Sequence, residues 1–415
     1  MFELRENPVA DEETRELRSG NPPWHVDRAP FPRTPILSDT RCDIIVVGAG
    51  ITGSFVAETL ARQGRSVMVV DRLMPGRGST AASTAMLQWE IDTSLADLAD
   101  LYGFDKAEAL YQRSYAAMTE LTAFAATLPA SRGVKPRSTL YLGGGEAGLA
   151  QLTAEHRLRR RAGLPGELLD QEALAEAFGM IRPAALLSPG SAEADPLSLS
   201  LDLLRAALLR GAFLVEDEAV AFDWDMKGAS VRLGNGATVE ASFIILATGY
   251  EMPDFVRADN HRILSSWCIA TAPQPLEALW RDRVLIWEAS QPYLYARTTD
   301  EGRIIVGGED EETRDPEARE RAMPGKIERL VAKMRALWPN GQYVIENAWS
   351  AEFGETEDGL PLIGPVPGAG RMLAAYGYGG NGITYSFMAS RILAALVAGE
   401  ERPWFRDYAL DRVIP

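Results

Sequence analysis

The chain has 415 residues, of which 46% are hydrophobic and 24% are charged, so it can bury a large core and is typical of a globular protein of two or three domains. Its 42 basic and 58 acidic residues give a formal charge of -16, a field that repels phosphate backbones and anionic lipid headgroups. We therefore expect no nucleic-acid partner and no membrane insertion, and no apolar run in the chain reaches spanning length.

The cysteines and histidines argue against two further kinds of chemistry. Cys42 and Cys268 stand far apart and outside any CxxC spacing, which argues against a disulfide framework and favours a reducing, cytoplasmic location. His25, His156 and His261 have no clusters of carboxylates or cysteines around them, so no metal site is expected.

The first 40 residues are polar and rich in proline, and they contain no apolar segment of the secretory type. Because prolines recur between Asn21 and Pro35, no regular helix can form there. We interpret residues 1–40 as an N-terminal arm that lies over the surface of the protein.

A complete dinucleotide-binding pattern follows the arm. Residues 43–47 (DIIVV) predict a buried parallel strand, residues 48–53 (GAGITG) a glycine turn, and the next residues a helix that stops at Gly64. A second apolar strand over 67–70 ends on Asp71. The complete order of strand, turn, helix, strand and acid within about 30 residues strongly indicates a dinucleotide-binding unit. The glycines alone could instead form a tight turn that binds no nucleotide.

Each residue of this pattern has a physical task. Gly48 permits the tight turn, Gly50 lets the backbone approach a pyrophosphate, and Gly53 lets the helix pack closely on the strand. The phosphates then face the helix N-terminus, where unpaired N–H groups and the helix dipole stabilise their charge. The Asp71 carboxylate can accept hydrogen bonds from both ribose hydroxyls, which makes NADP the least favoured dinucleotide.

Further elements follow along the chain. In order, the pattern predicts a helical stretch over 93–128, a hairpin over 231–239 with an Asn-Gly turn, strands over 243–246, 293–297 and 304–306, and helices over 327–337 and 383–397. The nucleotide-binding unit is thus completed by segments much later in the chain, with other material inserted between them.

Three short segments are suited to a bulky flat ligand. Residues 76–86 are small and rich in hydroxyl groups, residues 247–250 (ATGY) close an apolar strand, and residues 377–382 (GYGGNG) open the last helix. The first two could equally be a flexible loop and a simple turn. The third presents free N–H groups that could stabilise negative charge on a reduced flavin.

Taken in order, the segments VVGAGITG, VVD, GSTAAST, ATGY, DGLPLIGP and GYGGNGIT resemble the D-amino-acid oxidase superfamily of FAD-dependent amine oxidoreductases, over roughly residues 41–399. The first segment is shared with many flavin and NAD proteins, whereas the last two are more specific. The resemblance implies an α/β fold, in which a Rossmann-like FAD-binding domain built from discontinuous segments carries an inserted α+β substrate domain with a large mixed sheet. We assign residues 41–95, 180–255 and 350–399 to the FAD-binding domain, 96–179 and 256–349 to the substrate-binding domain, and 400–415 to a C-terminal tail.

The resemblance also implies a set of FAD-binding residues, divided between the ADP half, the ribityl chain and the flavin ring. They are Gly48, Gly50, Ile51, Thr52, Gly53, Asp71, Arg72, Ser79, Thr80, Ser83, Thr84, Met86, Val220, Thr248, Gly249, Gly379, Gly380, Asn381, Gly382, Ile383 and Thr384. Val220 matches the position whose backbone contacts adenine.

The chain also departs from the family pattern. Phe353 stands where relatives that oxidise amino acids carry an arginine that grips the substrate carboxylate, which argues against an ordinary α-amino acid as substrate. No lysine occurs at 304–306, which argues against fast reduction of oxygen. The DGLPLIGP segment has no cysteine and the GSTAAST segment no histidine, so FAD is expected to bind non-covalently.

The substrate pocket is the least determined part of the sequence. Candidate residues are Trp89, Glu90, Tyr293, Tyr295, Arg297, Phe353 and Glu355, with Gln88 and Glu352 beside them. Tyr293, Tyr295 and Arg297 alternate and so share one face of a strand, where they either line the pocket or pack against the sheet. The glutamates could recognise a cationic amine or belong to an acidic surface.

The predicted function is oxidation of the C–N bond of a small-molecule amine or amino-acid-like substrate to an imine, with FAD as hydride acceptor. The electron acceptor, which is oxygen, a quinone or another protein, is left open. An FAD-dependent hydroxy-acid dehydrogenase and a flavin-bound subunit without activity of its own remain alternatives. An NAD-only protein is countered by the later flavin segments.

Overall fold

The computed structural model describes residues 18–25, 31–128, 133–145, 148–225, 227–256, 258–288 and 293–415. The predicted arm is thus described in part, and its residues 1–17 and 26–30 lie outside the described residues. The strands are Arg18–Gly20 (β1), Thr40–Val47 (β2), Val67–Asp71 (β3), Met86–Leu87 (β4), Lys135–Leu142 (β5), Glu167–Asp170 (β6), Ala184–Glu193 (β7), Phe213–Glu216 (β8), Ala219–Trp224 (β9), Ala229–Leu233 (β10), Thr238–Leu246 (β11), His261–Thr271 (β12), Leu285–Glu288 (β13), Leu294–Thr298 (β14), Ile304–Glu311 (β15), Ile345–Thr356 (β16), Leu362–Pro365 (β17) and Met372–Tyr376 (β18). The α-helices are Ile51–Arg62 (α1), Ser79–Ala82 (α2), Leu95–Tyr102 (α3), Phe104–Ala125 (α4), Gly148–Arg161 (α5), Gln171–Phe178 (α6), Pro196–Leu209 (α7), Pro316–Leu337 (α8) and Gly382–Val397 (α9).

The smaller of two sheets carries the predicted nucleotide-binding unit. Its strands β18, β11, β2, β3 and β8 lie side by side and are all parallel, with β17 antiparallel at one edge. Ile44 and Val46 of β2 pack into a core with helices α1, α7 and α9, whereas Ile45 and Val47 pack into a second core on the other face. Because both faces are covered, the strand is apolar without alternation.

The larger sheet is mixed, with strand order β1-β16-β12-β15-β14-β13-β5-β7-β4 and β6 beside β7. The β13–β5 pair is parallel and the other pairs are antiparallel. Trp267 and Val306 from this sheet pack against Leu330 and Met334 of α8 in a separate core. The predicted combination of a Rossmann-like unit with a large mixed sheet is therefore confirmed.

The predicted domain boundaries do not coincide with the two sheets. Strands β7 and β16 lie in the larger sheet, although residues 184–193 and 350–356 fall in segments that we had assigned to the FAD-binding domain. Strand β1 from the N-terminal arm pairs with β16, so part of the arm is an edge strand of this sheet. Strand β16 crosses the predicted boundary at residue 350, whereas β7 lies wholly beyond the one at residue 180.

Several predicted elements differ in their bounds from the observed ones. The helical stretch over 93–128 is divided into α3 and α4 at Gly103, whose φ of 82° suits glycine. Helix α8 begins eleven residues before the predicted helix over 327–337, because Asp315 caps it by accepting the N–H of Glu317. The predicted hairpin is present, with Val231 opposite Val239. Among the described residues, no helix is both long and apolar enough to cross a membrane.

Candidate flavin and substrate site

The first glycine turn connects β2 to α1, and its shape depends on missing side chains. Gly48 has a φ of 110°, and a Cβ there would lie 2.3 Å from the Ala247 carbonyl oxygen. A Cβ on Gly53 would lie 1.8 Å from the carbonyl oxygen of Gly48. By contrast, the nearest atom to a Cβ on Gly50 is Thr80 Oγ1 at 3.2 Å. Two glycines therefore permit the turn itself, and Gly50 leaves space in front of the helix.

Asp71 lies at the end of β3 beside this turn. Its carboxylate accepts the N–H of Ala49 at 2.6 Å and that of Leu73 at 2.8 Å, and it borders the central cavity. Burial raises the pKa of Asp71, against the lowering effect of the two backbone hydrogen bonds. The remaining lone pairs of the carboxylate are available to the hydroxyl groups of a ribose.

The segment of small residues that includes α2 lies along the cavity, and its carbonyl groups are held by side chains from distant elements. Trp24 Nε1 donates to the carbonyl of Ser83 at 2.8 Å, and Trp349 Nε1 donates to that of Ala82 at 2.8 Å. Arg297 donates to the carbonyl of Ala85 at 3.2 Å. The sequence did not reveal these contacts, because Trp24 and Trp349 stand in segments that carry no motif.

The late glycine loop at Tyr378–Asn381 opens α9 on the opposite side of the cavity. Gly380 donates its N–H to Asp92 Oδ2 at 2.6 Å, and a Cβ on Gly379 would lie 2.2 Å from the same oxygen. Asn381 donates to the Glu90 carbonyl at 2.8 Å, and Thr384 donates to the Gln88 carbonyl at 2.9 Å. The loop is thus fastened to residues 88–92. Gly382 and Ile383 line the cavity at the first turn of α9, where the amides have no acceptor within the helix.

A continuous cavity joins the two glycine turns. Of the predicted FAD-binding residues, those that line it are Gly48, Gly50, Ile51, Thr52, Asp71, Ser79, Thr80, Ser83, Thr84, Met86, Thr248, Gly249, Gly379, Gly380, Gly382 and Ile383. Amides at two helix N-termini, an acid at a strand end and a wall of small residues fit an FAD stretched between the turns. The described residues contain no cluster of metal-binding side chains.

Five predicted FAD-binding residues do not line this cavity. Gly53 packs against the Gly48 carbonyl and so permits the turn without lining the cavity. Asn381 and Thr384 donate hydrogen bonds that hold the late loop. Arg72 pairs instead with Glu251 at 2.5 Å. Val220 is 48% exposed on β9, so its side chain lies away from the cavity.

Aromatic and polar side chains from the larger sheet surround the other end of the cavity. Tyr293, Tyr295 and Phe353 line this end, as the sequence analysis proposed. Trp287 and Ser266 also line it, although the sequence analysis did not propose them. The Tyr295 ring lies over Gly307, where any Cβ would collide with it at 2.2 Å. Glycine therefore allows the tyrosine to cover β15, the strand on which we noted that lysine is missing.

The remaining predicted substrate residues are buried elsewhere or paired at the surface. Trp89 donates to the Pro189 carbonyl at 2.9 Å, and Glu90 accepts hydrogen bonds from Thr139 and Ser191 beside the buried Arg159. Burial raises the pKa of Glu90 and outweighs the attraction of Arg159. Arg297 holds backbone carbonyls, and Glu355 pairs with Arg262 at 2.5 Å. None of these four lines the cavity.

Cys268 also borders the cavity, although the sequence offered no role for it. Its thiol lies 3.4 Å from the Tyr295 hydroxyl, and burial raises its pKa to about 12. The residue is therefore a neutral thiol at physiological pH. Both cysteines are free and buried.

The fold and the cavity define a dinucleotide-binding oxidoreductase of the flavoprotein class. Comparison with known proteins gives the family: the model for the DAO family, FAD dependent oxidoreductases, matches residues 43–396. The chain belongs to this family, and its cofactor is FAD.

Individual relatives are distant in sequence. Gamma-glutamylputrescine oxidoreductase from Escherichia coli (strain K12) is 24% identical over 368 residues, which cover 86% of this chain and 84% of that protein. Glycine oxidase from Bacillus licheniformis is 22% identical over 389 residues, covering 90% of this chain and 98% of that protein. The solved structure of glycine oxidase from Geobacillus kaustophilus has a TM-score of 0.76 and 22% identity, covering 90% of this chain and all (100%) of the other. These likenesses show the same fold.

Proposed function

We propose that this enzyme oxidises the C–N bond of a small amine or amino-acid-like substrate to an imine, which water then hydrolyses. When bound, FAD supplies the hydride acceptor at N5 of the flavin ring. The observation that carries the proposal is the continuity of the cavity, which runs from the pyrophosphate turn to a chamber lined by Tyr293, Tyr295 and Phe353.

The protein's own contribution is placement. The tyrosine rings and Phe353 form apolar walls that can hold the carbon chain of the substrate against the flavin and exclude water. Oxidation of an amine needs no side-chain nucleophile, because the nitrogen lone pair assists departure of the hydride from the neighbouring carbon. The amides at the start of α9 are suited to stabilise negative charge in the reduced state.

FAD is proposed to bind non-covalently. The cavity contains no histidine among its described lining residues, and its one cysteine, Cys268, is a neutral thiol. Precipitation of the holoenzyme with acid is expected to release FAD into the supernatant. Flavin that stays with the pellet would contradict this part of the proposal.

The test of the reaction is anaerobic mixing of the holoenzyme with primary amines, secondary amines, amino acids and hydroxy acids, followed by flavin absorbance. We expect bleaching by amines and release of ammonia or a smaller amine with the carbonyl product. Bleaching only by hydroxy acids would overturn the proposal in favour of C–O oxidation. The same reduced enzyme, mixed with oxygen or with a quinone, identifies the electron acceptor.

A further inference from the structure

The late glycine loop leaves room for the Asp92 carboxylate and donates a hydrogen bond to it. The residue is exposed to the cavity, although protein surrounds it on the other sides. Its Oδ2 accepts the Gly380 N–H at 2.6 Å, and Gly379 has a φ of 56° at a place where any Cβ would lie 2.2 Å from that oxygen. The backbone of residues 88–92 is fixed in turn by Asn381 and Thr384.

The charges that act on Asp92 come from acids, of which Glu355 is itself paired with Arg262. Asp310 and Glu355 both act on it electrostatically, and its own charge acts on Tyr293, which also lines the cavity. Glu352 also lines the cavity and forms an ion pair with Arg319 at 3.2 Å. Among the described lining residues the only cation is Arg77, which belongs to the small-residue segment beside the first turn.

This distribution discriminates between two kinds of substrate. A protonated amine would gain a charge-assisted hydrogen bond to the Asp92 carboxylate. The carboxylate of an α-amino acid would meet the same negative groups, and Phe353 lines the cavity where the family pattern has an arginine. A like-charge contact of this kind is a strong barrier to the wrong ligand.

We propose, on the basis of the function proposed above, that Asp92 binds the ammonium group of the substrate and accepts one proton from it, so that the neutral amine reacts, and that the substrate is a cationic amine without an α-carboxylate. Burial by the protein and the neighbouring acids also shift the pKa of Asp92. Desolvation, with smaller contributions from Glu355 and Asp310, raises the pKa of Asp92 to about 6, against the lowering effect of the Gly380 hydrogen bond. The ionised form that binds a cation is therefore complete at pH 8 and about a tenth populated at pH 5.

The experiment uses two pairs of probes that differ only by a carboxylate: butylamine with norvaline, and 1,4-diaminobutane with ornithine. Anaerobic stopped-flow reduction of the holoenzyme gives a Kd and a limiting rate constant for each probe. We expect the amine of each pair to bind more tightly than its amino acid, and the Kd for the amine to rise about tenfold between pH 8 and pH 5. Tighter binding of both amino acids would overturn this inference while leaving amine oxidation intact. Failure of every probe and every other amine to reduce the flavin would overturn the proposed function itself.

Asp92→Asn isolates the charge, because an asparagine oxygen can still accept the Gly380 N–H. We expect the variant to retain FAD, to bind the amines about 10- to 100-fold more weakly, and to lose the rise in Kd between pH 8 and pH 5. The matched control, Asp100→Asn, changes an exposed aspartate on α3 and leaves both constants unchanged. An Asp92→Asn enzyme with the wild-type Kd and pH profile would refute the assignment. If the variant loses FAD, Asp92→Glu, which keeps the charge, is expected to restore amine binding, and failure to restore it would likewise refute the assignment.

Discussion

Replacing Gly50 with alanine tests whether the first glycine turn holds the FAD pyrophosphate. Gly50 has a φ of -76°, which any residue adopts, and the atom nearest to an added Cβ is Thr80 Oγ1 at 3.2 Å. Within the protein the methyl group requires a shift of a few tenths of an ångström, and alanine is a poorer N-cap than glycine. We expect the free energy of unfolding of the apoprotein to fall by less than about 1 kcal/mol.

The effect on the cofactor is expected to be larger. The backbone at this point must come close to the pyrophosphate. An added methyl group would hold the pyrophosphate away from the N-terminal amides of α1. Loss of one hydrogen bond to a charged group, about 1.5–3 kcal/mol, weakens FAD binding by about 10- to 150-fold.

The assay is titration of the apoprotein with FAD, followed by the change in flavin fluorescence, together with urea unfolding of the same apoprotein. Gly325→Ala is the control, since this glycine lies inside α8 and its nearest neighbour would be the Arg329 side chain at 3.5 Å. That change is expected to add up to about 1 kcal/mol of stability and to leave FAD affinity unchanged. Equal FAD affinity in Gly50→Ala and in the wild type would refute placement of the pyrophosphate at this turn.

Two further predictions concern residues that no motif revealed. Trp24→Ala removes the donor to the Ser83 carbonyl and is expected to speed dissociation of FAD in stopped-flow dilution; Trp24→Phe keeps the ring and separates loss of packing from loss of the hydrogen bond. If neither variant changes the dissociation rate, the arm does not support the cofactor loop. Arg412→Met leaves the buried Asp358 carboxylate without its cation and is expected to cost about 3–5 kcal/mol at pH 7 in urea unfolding. Burial raises the pKa of Asp358, but the hydrogen bond and charge of Arg412 help to lower it below its usual value in the folded state. This stabilisation is therefore present above the unfolded pKa of about 4 and is lost as the pH falls, so a deficit that is equally large in acid would contradict the reasoning.

The role of Asp358 also explains part of the DGLPLIGP motif. Its oxygens accept hydrogen bonds from Arg412, Tyr102 and Thr356 and from the Leu360 N–H. The residue therefore fastens the C-terminal tail and α3 to the turn between β16 and β17. The motif identified the family correctly, but its aspartate acts on the protein scaffold.

Local spacing was enough to predict the nucleotide-binding unit. The turn at Gly48, the close packing at Gly53 and the acid at Asp71 are properties of consecutive residues, because a strand, a turn and a helix impose their requirements within a few positions of one another. The structure has the same strand, turn and helix, and the family comparison confirms the cofactor that this pattern, with the late glycine loop, indicated.

The substrate end could not be predicted in the same way. Residues 88–92 form no regular strand or helix, so no period tells which of their side chains face the cavity. Trp89 and Glu90, chosen for their chemistry, point into the core, whereas Asp92 reaches the cavity because Gly379 and Gly380, nearly 290 residues later, leave it room. The short-range order of the amino acids determined the nucleotide-binding unit and the FAD-binding turns of this protein. Only the packing of distant segments against each other decided which acids, aromatic rings and tryptophans surround the substrate chamber, because burial of a side chain depends on neighbours that the local sequence does not contain.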